Sequence, residues 1–156
     1  MSEASRGRRT LGFLVRESSR LMRRRFIYHL KRAGLGLNRS EASLLMQVFY
    51  EPGINQVGVT NLLDLETISV VRLVDSLEEA GLLQRRPHAT DRRVRTLWLT
   101  AVGDVAVSEI RAMTNIVHRE ALAGLTGAER EHLLDMLMTL RSNLLDAGAS
   151  PNSVAA

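Results

Sequence analysis

Residues 55–100 decide the fold, and their sequence is NQVGVTNLLDLETISVVRLVDSLEEAGLLQRRPHATDRRVRTLWLT. The first half contains two short helical patterns that meet at a tight junction, Asp64-Leu65. The second half contains two strand-like runs, residues 82–86 and 95–99, joined by a loop with Asp91, Arg92 and Arg93. This order predicts a winged helix, in which one helix can enter the DNA major groove and the basic loop can reach the neighbouring backbone or minor groove.

The composition is typical of a soluble protein. The 156 residues fit one domain that can bury a core of its own. The absence of cysteine excludes disulfides, thiolate metal sites and a cysteine redox switch. No apolar run is long enough for a signal sequence or a membrane span, so we expect a cytoplasmic protein.

The net charge of +4 is unevenly distributed. Residues 1–33 contain ten Lys/Arg against two Glu, and residues 82–100 contain five Arg against one Asp. Such concentrations of basic charge, one N-terminal and one in the hairpin, favour a polyanionic partner. Charge alone does not distinguish that partner from ordinary solvated surfaces.

The spacing of apolar residues predicts six helices. They cover residues 11–33, 38–50, 55–63, 67–80 and 101–122, followed by a last helix that begins after Thr126 and ends near residue 146. Asn38 with Glu41, and Thr126 with Glu129, have the spacing of capping boxes, and Thr100 can cap the fifth helix. The predicted fold is mainly α with a small β-hairpin: four helices, the wing, then two more helices.

The long first, fifth and sixth helices have apolar stripes that a monomer of this size does not obviously cover. In the fifth helix we expect the stripe to contain Val102, Val105, Ala106, Ile110, Met113, Ile116 and Val117. Two chains could bury these stripes together, which favours a homodimer with two reading helices about one DNA turn apart. We therefore expect a single winged-helix domain, 1–156, with a DNA-binding lobe at 38–100, dimerisation helices at 11–36 and 101–146, and flexible ends at 1–10 and 148–156.

The run VVRLVDSLEEAGL (70–82) and the wing pattern of Asp91, Arg93, Leu97, Leu99 and Thr100 resemble the MarR family of bacterial regulators. The run LGFLVRESSRL (11–21) and the DRR wing are most similar to its SlyA branch. The resemblance covers about residues 11–146. Two residues depart from the family pattern: Asp64 replaces the usual Gly of the turn and Thr60 replaces the usual Ala. Because Asp tolerates left-handed backbone better than most residues, we expect the turn to form.

The resemblance implies a homodimer that binds a palindromic operator. Most members of the family repress transcription, and many release DNA when a small, often aromatic or acidic, ligand binds. A DNA-binding activator or anti-silencer, and a winged-helix protein-interaction module that reads no operator, are the alternatives. The basic wing argues against the interaction module, because a wing that no longer met DNA would not need its arginines.

The candidate DNA contacts are polar residues of the fourth helix and the wing, namely Thr67, Ser69, Arg72, Arg86, Asp91, Arg92, Arg93 and Arg95. Arg72 can bind guanine O6 and N7 in a bidentate manner, and the alternative is a surface ion pair with Glu66 or Asp75. Wing arginines suit the negative potential of a narrow minor groove. Asp91 would orient a neighbouring arginine by a charge-assisted hydrogen bond.

Other residues of the hairpin have weaker indications. Arg85 and His88 are candidates for phosphate contacts. Trp98, on the outer face of the second strand with Thr96, could stack on DNA or pack against the protein, and packing is the more common role.

The family's effector pocket lies where the first, second and fifth helices meet the reading lobe. By resemblance, its candidate lining is Arg20, Arg24, Tyr28, Met46, Phe49, Tyr50, Met113 and Val117. Plain core packing is the alternative for each of these residues. The five arginines at 16, 20, 23, 24 and 25 have a further alternative, an ordinary solvated helix face.

The sequence predicts neither a metal site nor an enzyme. His29, His88, His118 and His132 are scattered, and no pair has the i, i+4 spacing of metal ligands on a helix. The chain contains no nucleophile elbow, phosphate loop or paired-carboxylate motif. We therefore expect no cofactor.

Overall fold

The computed structural model describes residues 10–88, 90–91 and 93–149. Its elements are α1 (Leu11–Ala33), α2 (Arg39–Tyr50), α3 (Gln56–Leu63), α4 (Thr67–Glu79), β1 (Leu83–Pro87), β2 (Arg95–Leu99), α5 (Ala101–Ala121) and α6 (Gly127–Ala149). Six helices and a two-stranded hairpin thus occur in the predicted order within this part of the chain, and the winged-helix prediction is confirmed. Helix α6 continues to Ala149 rather than ending near residue 146, so residues 148 and 149 are helical.

The chain divides into two compact units, Met1–His118 and Arg119–Ala156. The first contains the winged helix, and the second contains α6. None of the helices in the described ranges combines the length and apolar character that crossing a membrane requires.

Two capping boxes predicted from the sequence are present. At α2, the Asn38 side chain accepts from the Glu41 N–H at 3.0 Å, and Glu41 accepts from the Asn38 N–H at 2.8 Å. At α6, Thr126 and Glu129 make the same reciprocal pair at 3.3 and 2.7 Å. Hydrogen bonds from Thr126 lower the pKa of the Glu129 carboxyl. Each pair satisfies N–H groups that a helix start leaves without intrahelical partners.

The junction between α3 and α4 depends on one left-handed residue. Asp64 ends α3 with φ 50° and ψ 49°, and it is the one non-glycine residue with positive φ in the described ranges. The expected turn therefore forms with Asp in place of the family's Gly. Asn55 caps the start of α3 by accepting from the Gly58 N–H at 2.8 Å.

The hairpin pairs β1 and β2 antiparallel, with Arg85 opposite Leu97. Strand β2 is also bonded to the segment before α3: the Leu97 N–H donates to the Ile54 carbonyl at 2.9 Å, and the Gly53 N–H donates to the Leu97 carbonyl at 3.0 Å. This second neighbour buries Thr96, which is 5% exposed although it lies on the face predicted to be outer. The base of the wing is therefore fixed on both sides of β2.

The core of the first unit is formed mainly by α2, α4, the hairpin and α5. Its buried apolar residues include Leu44, Leu45, Val48, Val70, Val74, Leu77, Leu83, Leu97, Val107 and Ile110. Leu73 of α4 is half-buried at the edge of this cluster.

The start of α5 differs from the predicted stripe. Val102 and Val105 are 62% and 60% exposed, whereas Gly103 and Val107 are buried. A Cβ on Gly103 would lie 2.1 Å from the carbonyl oxygen of Leu82, so only glycine permits this approach. Because glycine has no apolar side chain, the spacing of apolar residues could not show that Gly103 faces the core, and the predicted buried face was wrong at the start of α5. Thr100 caps α5 as predicted, by accepting from the Gly103 N–H at 3.0 Å.

Candidate nucleic-acid interface

Helix α4 turns its apolar side chains to the core and its polar ones to solvent. Val70, Val74 and Leu77 are at most 1% exposed. The predicted contacts lie off this stripe, with Thr67 exposed and Ser69 half-buried in the first turn. The N-cap residue of α4 is Glu66, which makes no side-chain cap hydrogen bond, but its carboxylate still places a negative charge near the positive end of the helix dipole.

Arg72 is exposed on the same helix. Across the part of the chain that the structure describes, no hydrogen bond or ion pair engages its guanidinium, and Asp75, one of its two alternative partners, is bound by Arg85. Arg72 lines an open depression between the start of α2 and α4, together with Asn38, Ser40, Glu41, Leu65, Ser69, Leu73 and Ser76. The structure thus leaves this cation accessible for a ligand outside the chain.

The wing loop is shaped by Asp91. Its Oδ1 accepts from the backbone N–H of Arg93 at 3.0 Å, and its carbonyl accepts from the Val94 N–H at 3.0 Å. The sequence predicted a bond to an arginine side chain, and for the described Arg93 that was wrong. Asp in a turn bonds more readily to the backbone two residues on, which closes the loop locally. Asp91 therefore fixes the position of the Arg93 backbone and does not orient its guanidinium.

Trp98 has a packing role, and it supports Arg86. Its Nε1 donates to Thr96 Oγ1 at 2.9 Å, and Thr96 Oγ1 in turn donates to the Arg86 carbonyl at 3.0 Å. The Arg86 guanidinium lies 4.9 Å from the Trp98 ring centroid, a geometry that favours a cation–π contact. The ring also lies against Gly53, where an added Cβ would be 3.0 Å from the indole.

Arg85 differs from the other arginines of the hairpin. It forms ion pairs with Asp75 and Glu78 of α4, so it is not the free phosphate contact that the sequence suggested. Strand alternation explains the difference, because Arg85 and Arg86 project to opposite faces of β1. The i, i+3 spacing of Asp75 and Glu78 on α4, followed closely by an arginine on β1, is the sequence signal that could have predicted this pairing.

The polar and charged residues of the described wing loop are exposed. Arg93 and Arg95 have no ion pair within the described ranges. His88 bonds within the loop, with its Nδ1 accepting from the Thr90 N–H at 3.3 Å. The predicted contact Arg92 lies outside the described residues. The structure thus ties the wing strand to α4 and leaves arginines exposed on both elements.

The eight residues predicted to line an effector pocket do not share one environment. Met113 and Val117 are buried, Met46 and Phe49 are half-buried, and the others are exposed. The guanidinium of Arg111 lies 5.0 Å from the Phe49 ring centroid, so part of this region is occupied by a residue that was not predicted.

Two of the predicted polar residues on α1 already have partners. Arg20 donates to Glu17 at 2.6 and 2.9 Å, and this pairing raises the pKa of Arg20 and lowers that of Glu17. The guanidinium groups of Arg25 and Arg32 lie 4.9 and 5.7 Å from the Tyr28 ring centroid. No group of three or more His, Asp or Glu side chains in the described ranges could hold a metal ion.

The sequence model of the MarR family matches residues 37–94, the segment from the start of α2 to the wing. A mutant of MarR from E. coli has a similar structure, with a TM-score of 0.74 and 21% identity over 84% of this chain and 96% of that one. The same mutant complexed with operator DNA gives 0.70 and 21% over 83% and 92%.

Two other regulators have the same fold. SlyA has a TM-score of 0.71 and 23% identity over 94% of this chain and 96% of that one. BpsR of Bordetella bronchiseptica, whose DNA binding is regulated by 6-hydroxynicotinic acid, has 0.71 and 19% over 86% and 94%. The SlyA branch stays a prediction, because MarR and SlyA match the chain about equally well.

Proposed function

We propose that the chain is a homodimeric transcriptional repressor of the MarR family, whose model matches residues 37–94, and that it binds a palindromic operator. The observation that carries the proposal is the pairing of two elements with exposed arginines. Helix α4, the recognition helix, exposes Arg72, and the wing strand β1, which is bonded to that helix through Arg85, exposes Arg86.

In the proposed complex the recognition helix enters the major groove. Thr67 and Ser69 lie in its first turn, where hydroxyl groups can donate to phosphates or bases. Arg72, one turn further, reads a guanine through O6 and N7. The absence of a described partner for Arg72 supports this role, because no intramolecular ion pair has to break first.

The wing binds the neighbouring backbone or minor groove. Arg93 and Arg95 supply charge, Asp91 holds the loop, and Arg86 is held over Trp98. Arg92 is proposed as a further contact on its sequence position alone. Phosphate contacts of this kind supply much of the affinity and make it strongly salt-dependent.

Apolar side chains that stay exposed in the single chain support the homodimer. They are Leu11, Leu14, Val15 and Leu21 of α1, Val102 and Val105 of α5, and Leu134, Met136, Leu137, Met138, Leu144 and Leu145 of α6. Apolar surface of this extent marks interaction sites in soluble proteins. A second copy that covers it would present two recognition helices to a site of about 15–20 base pairs.

We further propose that a small acidic or aromatic ligand releases the DNA. A ligand that binds one arrangement of the dimer better than the other shifts the population towards it. The pocket residues proposed from the family are Arg20, Arg24, Tyr28, Met46, Phe49, Tyr50, Met113 and Val117. Arg24→Gln should abolish a thermal shift caused by an aromatic acid, and Arg16→Gln, on the same helix, should not.

Selection of operator sequences tests the central proposal. The purified protein is mixed with random double-stranded oligonucleotides at low salt, and bound DNA is recovered and sequenced. We expect enrichment of a palindrome and fluorescence-anisotropy binding that weakens as salt is raised. Recovery of random sequence at every salt concentration contradicts operator reading and favours the protein-interaction module.

A further inference from the structure

Arg85 joins the wing to the recognition helix. Its guanidinium, on β1, donates to the carboxylates of Asp75 and Glu78, both on α4. Its backbone N–H donates to the other Glu78 oxygen at 3.0 Å. The Arg85 side chain is only 22% exposed, so solvent screens these contacts less than it screens an ordinary surface ion pair.

The register of the hairpin explains why the backbone takes part. Leu97, the residue opposite Arg85, has its N–H and C=O bonded to Ile54 and Gly53. The N–H of Arg85 therefore belongs to the free edge of the sheet, where it would otherwise be unpaired. Glu78 binds both the backbone and the side chain of Arg85, so one carboxylate fixes the position and the direction of this residue.

We propose that Arg85 is a positioning residue that fixes the wing to the recognition helix through Asp75 and Glu78 and contacts no phosphate itself. The proposal rests on the proposed function, because the role it assigns concerns DNA binding. A two-stranded hairpin is marginally stable by itself. The clamp of Arg85, Asp75 and Glu78 therefore sets the distance between Arg72 and the wing arginines.

The chemistry of the clamp decides how it can be broken. Burial by itself lowers the pKa of Arg85, but the hydrogen bonds to Asp75 and Glu78 outweigh it, and the net direction is upward. An arginine with a raised pKa stays charged at neutral pH. Replacing an acid is the way to loosen the clamp while Arg85 remains in place.

Two neighbouring glutamates at the end of α4 distinguish an effect of charge from an effect of positioning. Glu78→Gln and Glu79→Gln each remove one negative charge, and Glu79 is exposed with no ion pair in the described ranges. Charge alone predicts that both variants bind DNA slightly more tightly, since each removes repulsion of phosphate. Positioning predicts that Glu79→Gln binds up to about twofold more tightly and Glu78→Gln about tenfold more weakly. Equal or tighter binding by Glu78→Gln overturns the proposal.

Salt dependence separates positioning from phosphate contact. Arg85→Gln should weaken operator binding about tenfold while the slope of log K against log salt stays at its wild-type value, because no counterion release is lost. Arg95→Gln, which removes a proposed phosphate contact from the other strand, should lower that slope by about 1. A slope reduced by the same amount in Arg85→Gln would identify Arg85 as a phosphate contact and reject the clamp.

Hydrogen exchange tests the clamp without DNA. The Arg85 amide should exchange faster in Glu78→Gln than in the wild type or in Glu79→Gln, with melting temperatures compared in parallel to confirm folding. A wild-type protein that binds no DNA contradicts the proposed function, whereas unchanged exchange at the Arg85 amide contradicts the clamp. The two failures are thus distinguishable.

Discussion

Helices α4 and α6 both contain several apolar residues, but α4 buries apolar side chains whereas α6 leaves them exposed. Over 13 residues α4 buries Val70, Val74 and Leu77. Over residues 127–147 of α6 no side chain is buried, and Leu134, Leu137 and Leu144 are 50%, 43% and 67% exposed.

The difference indicates whether each helix packs against its own chain or against a second copy. Helix α4 completes its packing within the first unit of one chain, so its polar face is free for recognition. Helix α6 leaves apolar surface in water, which costs about 25 cal/mol for each Å² that a second copy could cover. The winged helix therefore packs its core within one chain, and the exposed apolar side chains of α6 are available to the proposed dimer interface.

The largest expected effect is the loss of stability caused by a substitution in the buried face of α4. Leu77→Ala removes a side chain that is 1% exposed, and it should lower the free energy of unfolding by about 3 kcal/mol through the cavity it leaves. Ile68→Ala, on the same helix but 55% exposed, should change it by less than about 0.5 kcal/mol. Urea unfolding at one protein concentration measures both. Equal losses would mean that the burial contrast has no energetic consequence.

A charge introduced on α6 tests whether its exposed apolar side chains form the proposed dimer interface. Leu137→Glu should raise the dimer dissociation constant by roughly 100-fold, because an unpaired carboxylate would be buried at the interface. Ser142→Glu, on an exposed position of the same helix, is the control for added charge. Sedimentation velocity over a range of concentrations gives both constants. A Leu137→Glu protein that remains as dimeric as the control excludes this face from the interface.

Arg72→Ala tests whether the polar face of α4 reads bases. Operator binding should weaken by about 2 kcal/mol, and base preference should relax at one position in each half-site. Measuring affinities for operators with every single substitution separates the two effects. If all sequences lose affinity equally, Arg72 binds phosphate instead.

Arg93→Ala tests the wing, where we expect a smaller loss. Operator binding should weaken about tenfold, while helicity and dimerisation stay unchanged, because the side chain is exposed and its backbone N–H still bonds to Asp91. Arg141→Ala removes an equally exposed arginine from α6 and should leave binding almost unaltered. Wild-type affinity in Arg93→Ala would exclude its role in the wing.

The sequence predicted the elements well because their ends carry local signals. Asn38 with Glu41 and Thr126 with Glu129 placed the starts of α2 and α6, and their side chains make the expected bonds. The family pattern of the wing added the order of elements. Such information is local, so it does not depend on how distant segments pack.

The errors concern contacts between segments. Gly103 is buried against Leu82, and no periodicity of apolar residues could show a backbone approach. Arg85 is bound by Asp75 and Glu78, ten and seven residues earlier, and the charge pattern did not show which arginine of the hairpin would pair with α4. Assigning a role to each arginine required knowledge of which face of β1 meets α4.

Apart from the Ile68 control, Asp64 is the residue for which we predict the smallest effect on the free energy of unfolding. Its left-handed backbone, with φ 50°, suits glycine better than any residue with a Cβ. Asp64→Gly should therefore raise the free energy of unfolding by about 0.5–1 kcal/mol, as relief of strain outweighs the added entropy of the unfolded chain. Asp64→Val should lower it by about 1–2 kcal/mol, because a β-branched side chain is poorly tolerated there. Operator affinity should change little in Asp64→Gly, since the turn keeps its shape. A destabilised glycine variant would show that the Asp64 side chain contributes more than the strain of its backbone costs.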